Sequence, residues 1–483
     1  MLPLPSLTTL LPALPLVGAL SLIRTRTVAR ATRVATLWAL LTLGLSLLTL
    51  APSARVSPEA PALCPLVALL VVATLVGGPR GLLDREMSMA LLLTESATMG
   101  VVLARAPAAW LGCLMALPVP LGILLARRAP DGEGPHEARV LHLSMLVGAL
   151  PLLALLGLDL SGDTDLSRLA HVGAPFGALG LASLTVVAVG VRMAVVPFHS
   201  WLPTVVTRMP MGMAFPLMNV LSGFVLWERL SPALGPGVPT WLGILGVGTA
   251  LHGAVLAWAQ TDLRRMLGFV LSSHSGLLLA AMAWGDAGAA RLQVIVLGLT
   301  FAGLGLLVQS LEGRAGTADM TKLGGLQGSA GRMSALFLLL ALAGMGLPGT
   351  LGFTSEDLLL RAVFESQPAS TLPLLLALVL DAVTLLRAWQ RTFLGPPSSR
   401  PFTDLLPRER WVAVALVAAL LAGGLGLGPS SLPPSMAPSI DARRDHRLLE
   451  DIRNRREHHV PVEATQRPGE PLRGATAGPE RRL

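Results

Sequence analysis

The sequence predicts an all-α polytopic membrane protein. Hydrophobic residues make up 52% of the 483-residue chain and charged residues only 14%, and the mean hydropathy is +0.65, far from the balance of a water-soluble domain. Apolar runs recur along nearly the whole length, and several reach the roughly 20 residues that a helix needs to cross hydrocarbon. Charges, prolines and glycines collect between those runs. A single-span anchor is excluded.

Taken in order, the runs give about fourteen spans, with approximate limits 5–23, 35–51, 61–78, 87–104, 107–126, 140–158, 172–196, 211–230, 240–260, 266–284, 291–310, 333–352, 371–390 and 410–428. The first, in MLPLPSLTTLLPALPLVGALSLIRTR, has its arginines after the apolar stretch, the reverse of a secretory signal peptide, and reads as a span that stays in the protein. The segments after the first, fifth, ninth, eleventh and thirteenth spans hold Arg24, Arg26, Arg30 and Arg33; Arg127, Arg128 and Arg139; Arg264 and Arg265; Arg314, Lys322 and Arg332; and Arg391, Arg400, Arg408 and Arg410. All of these fall on one side, and the acidic LDLSGDTDLSR after the sixth span falls on the other. The positive-inside rule then places both termini outside the cytoplasm. From Pro429 a proline-rich linker leads into the charged DARRDHRLLEDIRNRREHH and a polar, disordered tail, where His458 and His459 read as solvated residues.

Composition closes several functional classes. The formal net charge is +8 and Lys322 is the one lysine, but the arginines lie largely in short loops and the tail, where membrane orientation accounts for them. No basic patch alternates with aromatics, so no nucleic-acid partner is expected. Cys64 and Cys113 are isolated in separate apolar runs and cannot build an iron–sulfur or zinc–cysteine centre. No phosphate-binding loop, HExxH motif or nucleophile elbow occurs. No metal or cofactor site is expected in this chain, and any redox chemistry belongs to another. What remains is a sparse set of ionisable groups inside an apolar bundle, the inventory of an ion path.

Three stretches hold most of that set. In VRMAVVPFHSWLPTVV, residues 191–206, Arg192 closes an uncharged run and demands a partner, a cavity or a function. Pro197 and Pro203 remove two backbone donors, so the span should break near Val196, with His199 at the break. Histidine is the side chain poised to change protonation near neutral pH, and broken helices hold the ion sites of transporters. The same residues also suit an interfacial turn, with Arg192 snorkelling and Trp201 at the headgroups. In AWAQTDLRRMLGFVLSSHSG, residues 257–276, Asp262 reads as a helix N-cap, and His274 among Ser272, Ser273 and Ser275 fits either a packing group or a proton carrier. In GMGLPGTLGFTSEDLLLRAVFES, residues 344–366, Pro348 between glycines breaks a span. Glu356 and Asp357 follow it as proton-exchanging carboxylates, as first-turn acids of a helix opened by Thr354 or Ser355, or as both. Glu95 in LLLTESATMG and Asp381 in LALVLDAVTLLRAW are further carboxylates in apolar runs. Each would need a partner from another span, since Asp381 and Arg387 face different sides of one helix.

Together these stretches resemble the antiporter-like membrane subunits of respiratory complex I, the NADH:quinone oxidoreductase chain M-like group, and the related Mrp cation/proton antiporter subunits. PFHSWLP, AQTDLRRMLGFVLSSHSG and the order GGL, GLPGTLGF, Glu356 occur in the family's sequence order over about residues 85–395. The resemblance implies fourteen core helices with two inverted five-helix repeats, each containing a broken helix. It divides the chain into N-terminal transmembrane helices (1–84), an antiporter-like proton-translocation core (85–395), a C-terminal transmembrane region (396–428) and the tail (429–483).

It also implies a site and a function. Protons would pass along Arg192, His199, His274, Glu356 and Glu95, within the bilayer and among other membrane-arm subunits of a complex I-like assembly in a bacterial inner membrane. Quinone, flavin and iron–sulfur clusters would sit on partner subunits. His199, His274 and Glu356 match the family pattern. The lysine before PFH, however, is Arg192, the fifth-span glutamate is Met115 with Pro120 still present, the next helix's lysine is Gly223 or a neighbour, and the eleventh-span histidine or lysine is Leu297. A guanidinium holds its proton and can bias a field without relaying a proton, so reduced conduction is expected, with Glu95 as a substitute partner for Arg192. The other readings are an Mrp-type cation/proton antiporter subunit moving protons or sodium, a membrane partner of a hydrogenase or inorganic-carbon uptake complex, and a non-conducting structural paralogue.

Overall fold

A computed structural model of the chain describes residues 5–51, 60–128, 134–158, 177–208, 214–231, 237–285, 287–396 and 402–426. Among these residues every extended element is helical. In chain order they are α1 Pro5–Leu22, α2 Val28–Ser46, α3 Ala60–Gly77, α4 Arg85–Leu103, α5 Pro107–Ala116, α6 Val119–Arg128, α7 Gly134–Leu158, α8 Gly177–Arg192, α9 Trp201–Arg208, α10 Ala214–Leu230, α11 Gly237–Ala259, α12 Leu263–Trp284, α13 Ala287–Ala315, α14 Gly331–Gly344, α15 Leu351–Ser366, α16 Pro368–Phe393 and α17 Pro407–Gly426. Nine helical runs among the described residues are long and apolar enough to cross a membrane, with α5 and α6 counted as one. The acidic segment after the sixth expected span, Arg400 and the tail from Pro429 lie outside the described residues.

The helix starts follow cap chemistry. Asp262 accepts from Arg265 N (3.0 Å), as its place before an apolar run suggests, and Asp84 does the same for α4 from Met87 N (2.9 Å). Three expected spans are interrupted. The fifth divides at Pro118 into α5 and α6. The seventh ends at Arg192 and resumes as α9, while the twelfth ends at Gly344 and gives way to a separate helix, α15. The cap of α15 is Thr350, which accepts from Phe353 N (3.4 Å), so Thr354 and Ser355 lie inside the helix and Glu356 and Asp357 fall in its second turn. Three candidate hydroxyls precede those acids, and the turn after Pro348 selects the first. Pro203 likewise breaks nothing: it sits in the first turn of α9, where a missing N–H leaves no helical bond unmade. Pro197 and Pro348 do lie between helices.

α12 and α13 form the centre of the bundle, with 94% of their spanning windows buried, whereas α2, α16 and α17, at 28%, form its rim. Hydrophobic side chains such as Leu37, Leu376 and Trp411 point outward from the rim, the arrangement a lipid surface requires. α11 and α12 touch backbone to backbone: a Cβ on Gly276 would stand 2.5 Å from Ala250 N and Gly246 O. Small residues permit that approach where lipid gives helices no hydrophobic reason to associate.

Polar staples join the segments at each end. At one end Thr32 Oγ1 donates to Leu83 O (3.0 Å), Arg128 pairs with Asp84, and Arg408 Nη1 donates to Gly78 O (3.1 Å). Arg264 Nε donates to Glu312 Oε2 (2.7 Å), Arg314 pairs with Glu409, Met320 N donates to Thr261 O (2.8 Å), and Gly325 N to Leu394 O (3.0 Å). At the other end Arg229 donates to Ala104 O (2.7 Å) and Val102 O (3.0 Å), and Arg291 pairs with Glu228 at 3.1 Å. The staples at the first end join segments that the charge pattern groups on one side.

Candidate functional site: buried ionisable groups at two helix breaks

The first break follows Arg192. Ala194 has φ 54°, an uncommon conformation for a residue with a Cβ, and the Val196–Pro197 peptide is cis. Backbone groups released by the break find partners on neighbouring helices. Ser272 Oγ of α12 donates to Ala194 O (3.0 Å), Val196 N donates to Thr249 Oγ1 of α11 (3.1 Å), and Trp201 Nε1 donates to Val191 O (2.8 Å). Such a turn is sustained at membrane depth because protein surrounds it.

Arg192 is fully buried. Its Nη2 donates to Leu114 O at 2.8 Å and its Nη1 to Asn219 Oδ1 at 3.4 Å. The N–H that would ordinarily reach Leu114 O belongs to residue 118, which is proline, so the sequence itself releases that acceptor. Snorkelling is therefore overturned: the guanidinium is a strut between α5 and α10. Glu95 does not serve as its partner. That side chain is fully buried on α4, and neither of its carboxylate oxygens has a hydrogen-bond partner among the described residues. Gly223 faces the break, where a Cβ would meet Met193 Cγ at 2.5 Å and Arg192 Cβ at 3.1 Å. Met115 is partly buried against the core, and Leu297 lines a small apolar gap with Leu66, Val220 and Leu221.

His199 lies in the short turn Phe198–Ser200 and is half-buried. Its ring meets that of His252 edge-on at 4.9 Å, and it lines a cleft of about 410 Å³ with Glu137, Thr204, Thr207 and Arg265. His252 carries little signal of its own in the sequence, being a lone histidine in the apolar LGVGTALHGAVLAWA.

The second break joins α14 to α15 through Gly346 (φ 70°), Pro348 and Gly349 (φ 90°). Glu356 turns into the bundle and Asp357 out of it. A Cβ on Gly346 would run into Glu356 Oε2, so the glycine makes room for the carboxylate, while Glu356 Oε1 is buried with no hydrogen-bond partner among the described residues. The preceding Ser355 Oγ donates to Gln293 Oε1 of α13 (2.6 Å). His274 on α12 is buried, its Nδ1 has no hydrogen-bond partner among the described residues, and its ring stands edge-on to Phe301 at 5.9 Å. Asp381 on α16 finds the partner it needed, Ser273 Oγ at 2.6 Å.

The site residues thus divide between the two breaks, Arg192 and His199 at the first and Glu356 beyond the second, with His274 buried on α12, Asp381 on α16 and Glu95 on α4. Among the described residues no cluster of three or more His, Cys, Asp or Glu could hold a metal ion. The chemistry available is proton binding on carboxyl and imidazole groups, together with one fixed cation.

Comparison with known proteins gives a consistent picture. Residues 138–383, just over half of the chain, match the family model described as NADH:quinone oxidoreductase/Mrp antiporter, TM. The NADH-quinone oxidoreductase subunit M of Escherichia coli K12 is 32% identical over 252 residues, 49% of this chain and 49% of the relative. That of Pseudomonas aeruginosa is 33% identical over 268 residues, 53% and 52%. The chain therefore spans about half the length of the curated relatives it matches. A chain of respiratory complex I from Thermus thermophilus with bound NADH aligns with a TM-score of 0.79 and 25% identity over 89% of this chain and 97% of the other. A chain of the Mrp complex from Dietzia shares the fold, with a TM-score of 0.76 and 19% identity over 88% and 95%.

Proposed function

Because the chain belongs to the NADH:quinone oxidoreductase/Mrp antiporter transmembrane family, we propose that it is a proton-translocating membrane-arm subunit of a complex I-like NADH:quinone oxidoreductase. The observation that carries this reading is Glu356: a buried carboxylate, with an oxygen that finds no hydrogen-bond partner among the described residues, set at a broken helix beside a buried histidine's helix. Such a group costs free energy in a purely structural role, and it can bind and release a proton. Residues 85–395 form the translocating core. The basic end faces the cytoplasm of a bacterial inner membrane, both termini lie on the far side, and quinone, flavin and iron–sulfur chemistry belongs to partner subunits.

Within that core these residues do different work. Glu356 and His274 carry protons, His199 exchanges them with the cleft it lines, and Arg192 stands as a fixed charge. Glu95 is a further buried acid of the first half. A guanidinium bonded to a backbone carbonyl and an amide supports reduced conduction through that half, the specific reason to retain a structural paralogue as the second reading. Proton flux in inside-out vesicles separates them. Glu356→Gln and His274→Ala should each cut flux by about tenfold or more at unchanged assembly, within the range of general acid–base contributions. Wild-type flux in both variants, or none in the parent complex, would overturn the translocating role.

A further inference from the structure

Asp381 has no part in the path set out above, yet its surroundings are built for a proton. The side chain is 2% exposed. Ser273 Oγ lies 2.6 Å from Asp381 Oδ2 and 2.9 Å from Ala250 O. A serine hydroxyl has one hydrogen to give, while a backbone carbonyl and an ionised carboxylate only accept. With Asp381 ionised, one of the two contacts would be oxygen against oxygen with no hydrogen between them. With a proton on Asp381, its O–H donates to Ser273 Oγ, Ser273 donates to Ala250 O, and both contacts are satisfied.

The remaining oxygens point to the source of that proton. Asp381 Oδ1 and Glu356 Oε1 are both buried without a hydrogen-bond partner among the described residues. α15 and α16 are consecutive helices joined at Gln367 and packed on each other through Leu359, Val363, Leu374 and Ala377, and Glu356 and Asp381 stand 11 and 14 residues from that turn (367 − 356 and 381 − 367), at a similar depth along the pair. On the described elements packed around Asp381, α12 supplies Ser273, α11 the Ala250 carbonyl and α15 Glu356, while α16 turns apolar side chains such as Leu376, Val379 and Val383 outward near this depth and carries Arg387 further along, donating to Trp258 O.

We propose that Asp381 and Glu356 form a carboxyl pair that passes one proton between them, with Ser273 as the positioning residue that follows which acid holds it. The inference rests on the translocating role. In the transfer an O–H bond on Glu356 breaks as one forms on Asp381, the negative charge moves the opposite way, and nothing is oxidised or reduced. When Asp381 holds the proton, Ser273 donates to Ala250 O. When Glu356 holds it, Ser273 turns and donates to Asp381, so the hydroxyl alternates between α11 and α16.

The test uses the full chain in its assembled complex, reconstituted in proteoliposomes, with Asp381→Asn, Asp381→Glu and Ser273→Ala. Proton flux is read beside the infrared carbonyl stretch of protonated carboxyl groups, identified by its shift in heavy water. Asp381→Asn should lower flux by about tenfold or more and remove a carboxyl band, and Asp381→Glu should restore at least about half of the flux. Ser273→Ala should shift the same band, which keeps the proposal testable should Asp381→Asn assemble poorly. Full flux in a fully assembled Asp381→Asn complex, or a carboxyl spectrum unchanged by both Asp381→Asn and Ser273→Ala, overturns the pair. A parent complex without flux overturns the translocating role instead. There the band decides separately, its loss in Asp381→Asn upholding the protonated acid and its persistence refuting it.

Discussion

Replacing Arg192 by Leu removes a charge-assisted bond of 2.8 Å to Leu114 O, worth about 1.5–3 kcal/mol, and leaves that buried carbonyl unpaired at about 1–3 kcal/mol more. Against this, the substitution also removes a fully buried charge, whose desolvation costs several kcal/mol. The two terms are comparable, so the single substitution has no secure sign. A double-mutant cycle with Pro118→Ala isolates the part that matters. An alanine at residue 118 supplies the helical N–H that proline lacks, and Leu114 O then keeps a partner after Arg192 is lost. The desolvation term is common to both backgrounds and cancels. Arg192→Leu should therefore be less damaging in the Pro118→Ala chain, with a coupling of about 1–3 kcal/mol, measured by equilibrium unfolding in mixed micelles of rising SDS fraction. A coupling within about 0.5 kcal/mol of zero would refute the strut.

Gly276→Ala places a methyl 2.5 Å from two backbone atoms of α11, so it should destabilise the chain by about 1–3 kcal/mol in the same unfolding assay, whereas Gly112→Ala, which meets nothing within 4 Å, should not. Burial pushes the Asp84 carboxyl up, but Arg128 and the Met87 N–H outweigh it and hold the group below its ordinary value. The stabilisation this gives α4 is present above about pH 4 and is lost as pH falls through the folded value. Amide protection at Met87, corrected for intrinsic exchange, should hold between neutral pH and about pH 5 and decline below about pH 4. Asp84→Asn should abolish that decline.

The sequence made the helices legible because lipid imposes a length and a composition on every span, and it made the Pro348 break legible because proline between glycines leaves the chain few other conformations. Asp262 could be read as a cap from its place before an apolar run. Thr350 could not, since three hydroxyls compete there and only the turn geometry selects among them. The partner of Arg192 stayed hidden because it is a main-chain oxygen 78 residues away, and every residue type has one. Asp381 was visible as a charge in need of company, but Ser273 reaches it from a helix 108 residues earlier in the sequence. His252 was missed for the opposite reason: one histidine in an apolar run resembles many that do nothing.

The bond from Arg408 to the carbonyl of Gly78 spans 330 residues, and Arg314 awaits Glu409 from the same helix. At ~5–20 residues per second, synthesis takes on the order of 15–60 s to bring the two ends of that first bond into being. Through that interval α3 stands in the bilayer with the flank that α17 later covers still open to lipid or to an insertion factor. Biogenesis of this chain is therefore vectorial in insertion but final only at α17. A ribosome stalled before Arg408 would leave a bundle whose central helices have met while its basic end is still unlatched, and quality control could read that state.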